Sequence, residues 1–269
     1  MNKFVKKYLA IAKIFFKAQI IYRFDVAMTA LEAISRVLFA WLIWGAVFAE
    51  RETVSGFYFE TMLLYYVISS FIATLDIGFG VSGEIAHEIR NGSFSKFMVI
   101  PVNPHTYWLG QNSGVVSYLA LFVLPVAIVC GLLFGAGGFN AGQPAGILLG
   151  LVMIPLGLAF MLTYHFFIGL LAFKFQDVGM FLHVQGTIIQ FTQGAIIPLT
   201  LLPDTAFHLI SFLPFPHVVF TPTMLLIGKM DLYNGLASLG ILALWTVGMA
   251  VAAQLTYHRL RIKYDGVGV

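Results

Sequence analysis

Six stretches of this chain are apolar for about the length a helix needs to cross a membrane: residues 26–48, 59–79, from 107 or 114 to 134, 145–173, 178–202 and 236–257. At a rise of about 1.5 Å per residue, a ~30 Å hydrocarbon core takes about 20 residues. A soluble core could not hide six such runs. Of the 269 residues, 59% are hydrophobic and 10% charged, where soluble domains carry about 25% charge. The fold expected is an all-α polytopic membrane protein with six transmembrane helices, residues 1–269 forming one transmembrane domain. The single Cys130 excludes an internal disulfide and a multi-cysteine metal site, and its default role is a small buried hydrophobe.

Residues 1–24 are basic and partly apolar. Phe4, Tyr8, Ile11, Phe15 and Ile20 recur at helical spacing, with Lys3, Lys6, Lys7, Lys13, Lys17 and Arg23 around them. This predicts an amphipathic helix at the membrane interface, its lysines reaching the headgroups; the alternative is an extended foot of the first span. Lys13 and Lys17 interrupt any signal-peptide core, and no small-residue cleavage site follows. Residues 192–222 stay apolar although Pro198, Pro203, Pro214, Pro216 and Pro222 break any continuous helix, which predicts short re-entrant helices in the outer leaflet. Six spans put both termini on one side. That side collects Lys3, Lys6, Lys7, Lys13, Lys17, Arg23, Arg90, Lys96, Lys174, Arg259, Arg261 and Lys263, twelve of the fifteen Lys and Arg, so both termini are expected in the cytoplasm.

Residues 82–104 form a polar, charged segment on the same side. Ser82 can cap a helix start, Glu84 and Arg90 suit its two dipole ends, and Gly92 can stop it. Ile85, Ala86 and Ile89 give it an apolar side. Glu84 and Glu88 stand one turn apart, a like-charge pair costing a few tenths of a kcal/mol unless a basic partner compensates it. An acidic face beside an apolar patch fits a groove on another protein; an ordinary helical loop is the alternative.

Charge inside a membrane is expensive, which singles out Glu32, Arg36 and Asp76. Glu32 and Arg36, four apart, either neutralise each other or line a polar cavity, and Asp76 lies near a span end where water can reach it. Gly131 with Gly135, and Gly146 with Gly150, match the small-residue pattern for close helix approach. Trp41, Trp44, Tyr107 and Trp108 are expected in an interfacial aromatic belt. No phosphate-binding loop occurs: Gly228 and Lys229 are followed by Met230. His87 and Glu88 lack a second histidine one turn on, so no zinc site is expected, and the other histidines are scattered.

Taken together, the basic N-terminal helix, the six spans, the GEIAHEIRNGSFSKFMVIPVNPHTYW segment, the apolar QGAIIPLTLLPD and LPFPHVVFTP, and the RIKYDGVG tail resemble the membrane subunits of ABC-2-type exporters. The resemblance covers nearly the full length. It implies that residues 82–104 hold a cytoplasmic coupling helix, with Glu84, His87, Glu88 and Arg90 contacting a separate ABC ATPase. It further implies two ATPase copies, a second permease subunit, identical or sister, and outer re-entrant helices that close the exit. ATP and Mg would sit on the ATPase; no catalytic residue, cofactor or nucleic acid is expected on this chain. The function expected is export across the plasma membrane of an amphipathic, lipid-like, peptide or drug substrate. The alternative is an ion-coupled secondary transporter using Glu32, Arg36 and Asp76, although no inverted repeat is apparent. An intramembrane enzyme or a membrane scaffold are more distant alternatives.

Overall fold

The computed structural model describes residues 3–134, 144–175 and 179–261. The Gly-rich turn with Gly135, part of the link after Lys174, Val178 and the tail with Lys263 lie outside the described residues. The helices are α1 (Lys3–Ala18), α2 (Arg23–Phe48), α3 (Phe59–Leu75), α4 (Gly78–Arg90), α5 (Lys96–Val99), α6 (Pro104–Phe134), α7 (Pro144–Leu170), α8 (Gly179–Thr192), α9 (Asp204–Ser211), α10 (Phe220–Leu226) and α11 (Leu232–Leu260).

Among the described residues, five helical stretches are long and apolar enough to cross a membrane: Arg23–Phe48, Phe59–Arg90, Pro104–Phe134, Pro144–Phe173 and Leu232–Leu260. A sixth results only if Asp204–Ser211 and Phe215–Leu226, bent by 81°, count as one span. The difference from the expected six straight spans lies at residues 178–202. There α8 is 14 residues long, about 21 Å at helical rise. It stops because Gly194 turns to φ +75 and Pro198 follows. The backbone groups freed by this break find partners on α3: the Tyr65 hydroxyl donates to the Gly194 carbonyl at 2.6 Å and the Tyr66 hydroxyl to the Ile196 carbonyl at 2.8 Å. Irregular backbone within an apolar protein is thus held by protein, as an unpaired carbonyl there would be costly.

Helix α7 stands at the centre, with α4, α10 and α11 packed on it. Small residues set the spacing. A Cβ at Gly169 would lie 2.8 Å from Ile85 Cβ on α4, and one at Gly150 would lie 3.2 Å from the Pro222 carbonyl before α10's midpoint. Of the glycine pairs read from the sequence, Gly150 makes its close approach; Gly131 has nothing nearer than 3.9 Å.

The tightest glycine seam is between α1 and α6. A Cβ at Gly114 would run into the Ala12 carbonyl, and Gly110 faces Tyr8 and Ile11. The Thr106 hydroxyl donates to the Tyr8 hydroxyl at 2.8 Å, Lys7 Nζ donates to the Pro101 carbonyl at 2.7 Å, and the Phe16 and Tyr118 rings meet edge to face. Contacts therefore advance in the same direction along both helices. A turn through Gln19 to Tyr22 separates α1 from α2, so α1 is its own element and not a straight foot of the first span.

Candidate functional site: a helix break opening on a polar cleft

The sequence places Asp76 where α3 ends, and its backbone leaves the helical region at φ −81, ψ 88. Its Oδ1 accepts from the Gly78 amide at 3.1 Å, so Asp76 satisfies the first free N–H of α4. Ser82, expected to cap this helix, lies inside it, fully buried, with its hydroxyl donating to the Phe79 carbonyl at 2.8 Å. The helix begins earlier because Gly78 fits where a side chain could not: its Cβ would be 2.8 Å from His165 Cδ2.

Along α4 the faces divide as their chemistry dictates. Val81, Ile85, Ala86 and Ile89 are buried in one cluster with Phe166, Ile168 and Leu170 of α7. Glu84, His87 and Arg90 face outward and are exposed. Glu88, one turn on from Glu84, is only partly exposed. Beyond the left-handed Gly92, Lys96 returns to form an ion pair with it at 2.5 Å, and the Glu88 side chain is only 13% exposed. The basic partner that the Glu84 and Glu88 pair called for is therefore on this chain. Further on, Phe94 and Phe97 are buried, whereas Met98, Val99 and Ile100 are exposed, Val99 at 87%.

On its other side the break opens on a cleft of about 960 Å³. Arg36 and Trp44 of α2, Tyr66 and Ser70 of α3, and Met161 and His165 of α7 line it. So do His183, Thr187 and Gln190, which recur at i, i+4 and i+7 along α8 and so form a polar stripe on a mostly apolar helix. Gln193 continues the stripe. Its Nε2 donates to Asp76 Oδ2 at 3.2 Å and approaches Met161 Sδ at 3.5 Å. His165 is buried, and among the described residues its Nδ1 has no hydrogen-bond partner. Ile196, Ile197 and Leu201 give the cleft an apolar end beyond α8. Asp76 also borders a second cavity of about 220 Å³ against Asn112, Ser113 and Ser117 of α6.

Of the three membrane charges read from the sequence, Arg36 and Asp76 line this one cleft. Glu32 does not; it pairs with Arg36 at 2.5 Å on the exposed side of α2. The sequence reading missed His165, His183, Thr187, Gln190 and Gln193. Polar residues at helical spacing inside residues 178–202 were the available signal. One member of the expected aromatic belt is corrected: Trp108 is 1% exposed in the core. His105 and His217 are buried and hydrogen-bonded, to Thr163 and to Thr221 with the Ser211 carbonyl respectively. Among the described residues, no group of three or more His, Cys, Asp or Glu is placed to hold a metal ion.

A family model described as ABC-2 family transporter protein matches residues 34–268, which takes in the helix break, the outward face of α4 and the whole lining of the cleft. No curated protein matches the chain.

Proposed function

Because the chain belongs to the ABC-2 family of transporter membrane proteins, we propose that it is the permease subunit of an ATP-driven exporter. Membrane subunits of this family work with ABC ATPase partners and typically carry no nucleotide-binding domain of their own. The observation that carries the reading is the path from α4 to the cleft. One face of α4 is locked onto α7 through Ile85 and Gly169, its opposite face is free, and its first turn is tied through Asp76 to Gln193 in the cleft wall. A push on the free face is delivered to the cleft without a flexible joint between them.

In this reading the end of the bundle bearing α4 lies in the cytoplasm with both termini, in keeping with the basic residues gathered there. Glu84, His87 and Arg90 meet the ATPase, the exposed Met98, Val99 and Ile100 add an apolar edge, and Glu88 holds Lys96 in place. ATP and Mg act on two ATPase copies, and a second permease, identical or sister, completes the assembly in the plasma membrane. Closure of the ATPases tilts α4, the cleft releases an amphipathic cargo, and residues 192–222 form the outer gate.

Co-purification tests the coupling. Glu84→Lys with Arg90→Glu should abolish retention of the ATPase and ATP-dependent transport. Wild-type retention and transport in that variant would assign the docking face elsewhere. An ion-coupled carrier is the second reading, favoured by the position of Asp76 between two cavities. Gradient-driven transport by this chain alone, without ATP, would establish it.

A further inference from the structure

We propose that the cleft selects amphipathic compounds with a cationic head, for which Asp76 is the counter-ion. This rests on the exporter reading for its purpose, but the selectivity follows from the cleft. Among the described residues Asp76 is the only carboxylate lining it. Among the described residues Asp76 has no basic partner within ion-pair distance, and Arg36, the other charged group in the lining, is engaged by Glu32. Both Asp76 oxygens accept one N–H, from Gly78 and from Gln193. A carboxylate oxygen accepts two hydrogen bonds, so each keeps a free acceptor position.

A buried charge that lacks a partner is costly, and a ligand that brings the opposite charge removes that cost. An anionic head would add to it, and a neutral head would leave it in place. The walls suit the rest of such a molecule. Trp44, Tyr66 and Phe79 are among the lining residues, and aromatic rings attract a cation. Ile43, Ile196 and Leu201 offer apolar surface to a tail, and the volume matches that of small-molecule sites.

The test uses the permease in lipid nanodiscs, without and then with its ATPase, and two probes sharing one tail: dodecyltrimethylammonium and dodecyl sulfate, both below micelle-forming concentration. Binding is followed by the intrinsic tryptophan fluorescence, with Trp44→Phe identifying the share that comes from the cleft. The cation should bind at least about ten-fold tighter than the anion, roughly 1.4 kcal/mol. Asp76→Asn, whose side-chain oxygen can still accept from Gly78, should remove that preference. Gln193→Lys, which places a cation beside Asp76, should reverse it, and decides the matter if Asp76→Asn does not fold. Equal affinities in the wild type, or a cation preference that survives either variant, overturns the proposal. A permease that prefers the cation yet never pairs with an ATPase keeps the site and loses the exporter. One that pairs and transports without preference does the opposite.

Discussion

The α4–α7 seam and the α2–α8 cleft sit on either side of Asp76 and are built on opposite principles. In the seam, Gly169 lets Ile85 approach so closely that no side chain fits between the helices, and Val81, Ala86 and Ile89 are buried around it. In the cleft, α2 and α8 leave about 960 Å³ between them, and one wall is the polar stripe His183, Thr187 and Gln190. Close-packed interiors transmit strain, whereas a loosely filled, partly polar space yields to whatever enters it. In the proposed mechanism the seam is the part that moves as a unit and the cleft the part that changes its contents.

This contrast can be broken experimentally, most severely at the seam. Gly169→Leu should destabilise the permease by about 1–3 kcal/mol, since overpacking displaces Ile85. Thermal unfolding in detergent measures this, and a wild-type midpoint would deny the seam its rigidity. Gln193→Leu should cost about as much as one unsatisfied buried acceptor, ~1–2 kcal/mol, and should weaken the response of the cleft to ATP at the coupled ATPase. Lys96→Met leaves the mostly buried Glu88 without its partner and should cost about 1 kcal/mol, read as a lowered midpoint that Glu88→Gln largely restores. The smallest effects belong to the open side. Thr187→Leu and Arg36→Met should each stay within about 0.5 kcal/mol, because the first faces space and the second removes an exposed pair. A loss of stability at Thr187 comparable to that at Gly169 would erase the distinction.

The sequence made the spans legible wherever the apolar run was unbroken, because hydrophobic length alone dictates a crossing helix. The amphipathic α1 was legible for the same reason, from its periodicity. The stop of α8 at Thr192 was legible in part: the prolines from Pro198 onward mark a break over residues 192–222, but the fifth apolar run reads on to residue 202, since hydropathy does not register a left-handed Gly194. The break at Asp76 was hidden in a different way. A Ser followed by polar residues reads as a helix start, but tertiary packing of Gly78 against His165 moved that start earlier. Glu88 and Lys96 are eight residues apart across a turn, outside the spacing at which helical pairs are read, so an internal ion pair looked like a free acidic face. The cleft stripe is faint in the sequence because His183, Thr187 and Gln190 are uncharged and leave residues 178–202 apolar on average, although their helical period is present.

The α1–α6 seam has a consequence for the time at which the fold is completed. Tyr8 and Thr106, which bond across it, are 98 residues apart. At synthesis rates of about 5–20 residues per second, α1 waits roughly 5–20 s before its groove on α6 exists. During that interval the lipid interface is the apolar phase available to its inner face, and its lysines suit that station. If the surface-lying helix expected from the sequence forms in that interval, it and the docked helix are two ages of one segment, and Gly110 and Gly114 mark the place of docking.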